Sequence, residues 1–125
     1  MFKSEFDGMK APVATYRTVY LLAKAGLIEE LKDFDPVKES KAITPPMPRL
    51  TQGKHQRLMG NATRTLMELI NRGGTKDEII RAAKYGMIVQ DALKYQIDTY
   101  YAYMKLGINE LVEKYNLKYN LYSPY

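Results

Sequence analysis

Residues 72–83 read Arg72-Gly73-Gly74-Thr75-Lys76-Asp77-Glu78-Ile79-Ile80-Arg81-Ala82-Ala83, and this stretch decides the fold. Gly73 and Gly74 close the helix before them, because glycine accepts the left-handed conformation found just past a helix C-terminus. Thr75 and Glu78 stand at the spacing of a capping box. The threonine hydroxyl accepts from the Glu78 N–H, and the Glu78 carboxylate accepts in return from the Thr75 N–H. Asp77 and Glu78 also face the positive end of the new helix dipole. An apolar stripe follows as Ile79, Ala82, Ala83, Gly86, Val89, Leu93 and Ile97, so the spacing predicts a helix to about Tyr95.

Toward the N-terminus, a helix is predicted over about Gln52–Arg72 with Thr51 as its N-cap. Leu58, Met59, Ala62, Leu66, Leu69 and Ile70 fall on one side at 100° per residue; Lys54, Arg57, Asn61, Arg64, Glu68 and Arg72 fall on an adjacent polar stripe. Before it, Pro36, Pro45, Pro46 and Pro48 predict an extended proline-rich linker over residues 35–50. Tyr16, Tyr20, Ala23, Leu27, Leu31 and Phe34 recur at helical spacing and predict a first helix from about Pro12 to Asp33, with Gly26 leaving a bend or break open. Residues 1–11 read as a loose N-terminus.

Toward the C-terminus, Asp98 or Thr99 caps a short helix through Leu106, and Gly107 breaks it. Asn109 is the predicted cap of a last helix, with Ile108, Leu111, Val112 and Tyr115 facing inward. Residues 116–125 either continue that helix or lie extended as a docking tail. No segment sustains strand alternation. The fold class expected is all-α: one domain over residues 1–125, a small bundle of four or five helices with the proline-rich linker after the first. Ala82 and Gly86 also fit a DNA-binding helix-turn-helix with Met87 and Ile88 as the turn. The apolar stripe passes through Gly86 without changing phase, which favours one continuous helix.

The 125 residues suit one globular domain, with 46% hydrophobic and 26% charged residues. The absence of Cys excludes disulfides, thiolate nucleophiles and Cys-ligated metal centres, and one His excludes multi-His metal sites. No apolar run approaches the roughly 18–20 residues that cross a bilayer, so no membrane partner is expected. Met1–Lys10 contains Glu5 and Asp7 and no apolar stretch, unlike a signal peptide. A cytoplasmic location is expected.

The net charge is +5, from 19 Lys and Arg against 14 Asp and Glu. Residues 41–76 hold Lys41, Arg49, Lys54, Arg57, Arg64, Arg72 and Lys76 against Glu68 alone, a local +6. The rest of the chain is therefore at −1. Such a field attracts phosphate or an acidic protein face, or it is simply a solvated helix surface. The candidate contacts for nucleic acid or an acidic partner are Lys54, Arg57, Arg64 and Arg72.

Other candidates carry less. Glu29 and Asp33 lie one turn apart within the acidic group Glu29, Glu30, Asp33 and Asp35, a spacing compatible with a divalent cation but more often a solvated face. His55 sits on the apolar side of its helix, where packing is the plainer role. Arg72-Gly73-Gly74-Thr75-Lys76 leads into a helix N-terminus but lacks the spacing and preceding strand of a phosphate loop. Nine of the 11 tyrosines lie between Tyr85 and Tyr125. Tyr100, Tyr101 and Tyr103 cannot all face one core, so Tyr100, Tyr101, Tyr103, Tyr119, Tyr122 and Tyr125 are the candidate protein interface.

Gly73-Gly74-Thr75-Lys76-Asp77-Glu78-Ile79-Ile80-Arg81-Ala82-Ala83-Lys84-Tyr85, then Met87-Ile88-Val89-Gln90-Asp91-Ala92 with Lys94-Tyr95, then Gly107-Ile108-Asn109-Glu110-Leu111 with Lys114-Tyr115, resemble a helical module in proteins encoded by bacteriophages and prophages of Gram-positive bacteria. The resemblance covers about a third of the chain. It implies a viral or mobile-element origin, with a place in the host cytoplasm or the virion, and brings no reaction with it. Tyr95 stands where the module would have a His.

Together these features lead to the expectation of a non-enzymatic interaction or assembly protein, with no cofactor, metal or small-molecule substrate. Its partner would be another protein or a second copy, met through the tyrosine-rich C-terminal region. A nucleic-acid accessory protein using residues 41–76 is the alternative. An inhibitor of a host or defence protein is a further one.

Overall fold

The computed structural model describes Leu22, Lys24, residues 26–43 and residues 51–118. Among the described residues the fold is all-α: a 3-10 turn at Ile28–Leu31 precedes α1 (Pro36–Ile43), α2 (Gln52–Asn71), α3 (Lys76–Tyr95), α4 (Thr99–Lys105) and α5 (Ile108–Tyr115). The predicted first helix lies mostly outside them. Leu22 and Lys24 are helical, and that helix stops at Gly26, where φ is 74° and the Leu27 N–H returns to the Leu22 carbonyl at 2.8 Å. The break left open at Gly26 is therefore real.

The expected linker needs a correction. Residues 36–43 form α1 rather than an extended run. Pro36 takes the first helical position, where its missing N–H is harmless. Asp35 caps the helix, its Oδ1 accepting from the N–H groups of Val37 and Lys38 at 3.1 Å each. Pro45, Pro46 and Pro48 lie outside the described residues.

The next two helices follow their local signals. Thr51 caps α2 through its hydroxyl, which accepts from the Lys54 N–H at 3.2 Å. At the other end Gly73 adopts φ 77°, its N–H bonding to the Ile70 carbonyl and that of Gly74 to Leu69. This double closure satisfies carbonyls that the helix end leaves open. The capping box of α3 is formed on both sides, Glu78 N–H to Thr75 Oγ1 at 3.2 Å and Thr75 N–H to Glu78 Oε1 at 2.9 Å. The helix then runs unbroken through Gly86, Met87 and Ile88 to Tyr95, so no turn forms there.

Helix α3 is the hub, packing against α1, α2, α4, α5 and the 3-10 turn. Its buried residues Ile79, Ala82, Ala83, Tyr85, Gly86, Ile88, Val89 and Ala92 wrap well over half its circumference. Ala82, Ala83, Gly86 and Ala92 let neighbouring elements approach, while Leu66 and Leu69 of α2 and Ile108, Leu111 and Val112 of α5 fill the remaining core. Each large aliphatic buried this way contributes about 1.5–3 kcal/mol.

Asp98 caps α4, its Oδ1 accepting from the Tyr101 N–H at 3.0 Å. The start of α5 differs from expectation: Gly107 is the N-cap at φ 71° and Asn109 already lies inside the helix. The left-handed turn at Gly107 redirects the chain at once, so Ile108 is helical and no side chain is needed as a cap. A Cβ at Gly107 would stand 2.6 Å from Nη1 of Arg81, which donates to the Leu106 carbonyl at 3.3 Å. Asn116 ends α5 at φ 51° and Leu117 after it is buried; the rest of the expected tail, residues 119–125, lies outside the described residues.

Candidate functional site

Two surfaces of different chemistry emerge. The first is the polar stripe of α2. Lys54, Arg57, Arg64 and Arg72 are all exposed, and at 1.5 Å per residue they span about 27 Å. Arg64 lies back over Gly60 and donates from Nη1 to Asn61 Oδ1 at 3.4 Å. Arg72 pairs with Glu68 Oε2 at 3.3 Å.

Glu68, the lone acid of the stripe, has a second role. Its Oε1 accepts from the backbone N–H of Lys118 at 3.0 Å, drawing the chain beyond α5 onto α2. This sets the backbone of Lys118, an exposed residue, beside the stripe. Nothing local in the sequence signals this, because the two residues are 50 positions apart. Lys76, by contrast, is drawn to Glu30 at 3.3 Å. Arg49 and the side chain of Lys41 lie outside the described residues.

The second surface is on α4. Tyr100 and Tyr101 are exposed at 52% and 40%, and Met104 at 47%. Met104 follows Tyr100 by four positions and Tyr101 by three, so the three share a helix face; that spacing would have found Met104 from sequence. Tyr103 must be removed from the predicted interface. It is 1% exposed, with its ring edge-to-face on Tyr85 at 5.6 Å. Two positions from Tyr101 the helix has turned about 200°, into the core. Tyr100 stacks on Tyr103 at 6.4 Å, so the buried ring supports the exposed one. Tyr119, Tyr122 and Tyr125 lie outside the described residues.

The remaining candidates take structural positions. His55 is buried, with Nε2 2.7 Å from the Val89 carbonyl. A carbonyl only accepts, so Nε2 carries the proton and clamps α2 to α3. Burial pushes the Asp91 carboxyl up; Lys94 pulls the other way, Asp35 adds to the rise and His55 opposes it. Glu30, Asp33, Phe34, Asp35, Lys38, Glu39 and Lys84 line an open groove of about 340 Å³. Within this acidic region Glu29 pairs with Lys32 at 3.5 Å and Asp35 caps α1. Among the described residues no three acidic or imidazole groups converge on a metal-binding point.

Glu78 gathers more partners than its capping role demands. Besides Thr75 it accepts Lys114 Nζ at 2.6 Å and the Tyr115 hydroxyl at 2.5 Å, and it is buried. The Lys114 ammonium first, then the Tyr115 hydroxyl and the Thr75 N–H, hold its carboxyl down to about 2, against the opposing effect of burial. The same carboxylate raises the pKa of Lys114 and Tyr115. This arrangement ties the start of α3 to the end of α5 and belongs to the scaffold.

No protein-family model, curated protein or solved structure matches the chain.

Proposed function

We propose that this chain is a non-catalytic helical assembly protein whose contact face is the outer side of α4, and that the occupant of this face is a second copy of the chain. The observation that carries the reading is the division of α4. Tyr103 anchors the helix in the core while Tyr100, Tyr101 and Met104 stand outward. Tyrosine and methionine are enriched where proteins meet, tyrosine because it offers large contact area at low entropic cost and methionine because its polarizable thioether adapts to the facing surface. The stacking of Tyr100 on a buried ring reduces the ordering needed on binding. A two-fold contact requires only that one patch complement itself. The packing role of His55 supports a role without acid–base chemistry. An origin in a bacteriophage or mobile element belongs to this reading and rests on the resemblance of residues 73–115.

Light scattering across micromolar to millimolar protein tests it. The mass should rise with concentration, and Tyr100→Ala/Met104→Ala should weaken association at least about tenfold, as loss of an interface anchor does. A strict monomer throughout, or association indifferent to both substitutions, would sink the proposal.

A further inference from the structure

We infer that the stripe on α2, completed by Lys118, is a surface for the sugar–phosphate backbone of a double-stranded nucleic acid. This lies beyond the assembly reading and rests on different residues.

Lys54, Arg57 and Arg64 lie along one side of a single helix of 20 residues and Arg72 is its C-cap on the same side; the side chains interleaved with them are those of Asn61, Glu68 and Asn71. No apolar side chain stands among them; the exposed Met67 lies about 100° away from Glu68 around the helix. Protein interfaces have apolar centres, whereas nucleic-acid interfaces are more polar and far more positive. An acidic protein partner is therefore the poorer match. Single strands are gripped by aromatic side chains on which bases stack, and the stripe has none. A duplex backbone needs only positive charge and hydrogen-bond donors in a line.

Three of these four cations are arginines, whose planar fork matches phosphate oxygens in pairs. The one acid in their path is occupied on both oxygens, by Arg72 and by the Lys118 N–H. Glu68 thus stays in the stripe paired with Arg72, and its other oxygen brings a further cationic residue, Lys118, beside it. The acidic groups Glu29, Glu30, Asp33, Asp35 and Glu39 gather elsewhere, on and around the 3-10 turn and α1. Each strand carries a phosphate about every 3.4 Å of duplex axis, so a line of about 27 Å is long enough for each of its cations to meet a phosphate. Such contacts position a protein on a duplex without reading its sequence.

Fluorescence anisotropy tests this with labelled duplex DNA, duplex RNA, a single strand of equal length, and polyglutamate. Micromolar binding to a duplex is expected at low salt. Raising salt from about 50 to about 200 mM should weaken it roughly 100-fold or more, as four or five phosphate contacts require. The DNA and RNA arms identify which duplex is preferred, and either supports the inference. Arg57→Gln/Arg64→Gln should reduce the slope of log affinity against log salt by about 2, and Lys118→Gln by about 1. Lys105→Gln, an exposed cation on α4, should change nothing. The inference is overturned by absent duplex binding at low salt, by equal or tighter binding to the single strand or polyglutamate, or by a slope that the arginine substitutions leave unchanged.

Discussion

Glu78 receives the Lys114 ammonium at 2.6 Å across 36 residues of chain. The contact makes acid stability a readout of tertiary structure. With its carboxyl held at about 2 instead of the usual 4.5, Glu78 contributes stability throughout the range above its ordinary value, and loses it as pH falls through about 2. The melting temperature should therefore fall between about pH 4.5 and about pH 2. Glu78→Gln should be less stable than wild type at neutral pH and lose less across that interval. Equal acid sensitivity in the two proteins would contradict the pairing.

His55 should behave as a packing residue. His55→Ala removes a buried ring and its hydrogen bond to Val89, at a cost of about 2–4 kcal/mol in urea denaturation. A change below about 0.5 kcal/mol would show that the α2–α3 clamp is unimportant.

Gly107→Ala should cost about 2 kcal/mol or more. Its φ of 71° disfavours any Cβ, and the added atom would displace the Arg81 guanidinium from the Leu106 carbonyl. A thermal melt would show the loss, and a neutral outcome would mean that the turn relaxes freely.

The opposite sign is expected at Gln96, which ends α3 in the left-handed conformation at φ 53° without being glycine. Gln96→Gly should stabilise by up to about 1 kcal/mol, since glycine carries no Cβ penalty there. Chemical denaturation gives the sign directly.

Within α4, neighbouring tyrosines should separate cleanly. Tyr103→Ala empties a core site and should cost about 3–5 kcal/mol, whereas Tyr101→Ala should change monomer stability by less than about 0.5 kcal/mol. Similar losses at both positions would mean that the face assigned to contact is structural.

The caps of α2 and α3 were legible because they are local: Thr51, Gly73, Thr75 and Glu78 each act within a few positions of themselves. The same logic was available at Asp35-Pro36, an N-cap followed by a proline at the first helical position. Of the four prolines only Pro36 belongs to α1, and it stands where proline is welcome. Asn109 misled for the converse reason, because a good capping residue is not needed where Gly107 already turns the chain. Tyr103 could not be told from Tyr100 and Tyr101 by composition; only the phase of α4 against Tyr85 separates them. Lys118 on Glu68 and Lys114 on Glu78 join residues far apart in the chain, and no window along the sequence contains both partners. Of the two candidate surfaces, the basic stripe was visible as spacing on one helix, while its fifth cation came only with the fold.

The Glu78 contact also orders events in time. During synthesis Glu78 leaves the ribosome first, and Lys114 and Tyr115 follow only after the chain between them has emerged. Until then the carboxylate can serve only the start of its own helix. The later arrival of those two side chains supplies its remaining hydrogen bonds and fastens the last helix to the hub. A chain stopped just short of residue 114 would thus leave this carboxylate without its cationic partner.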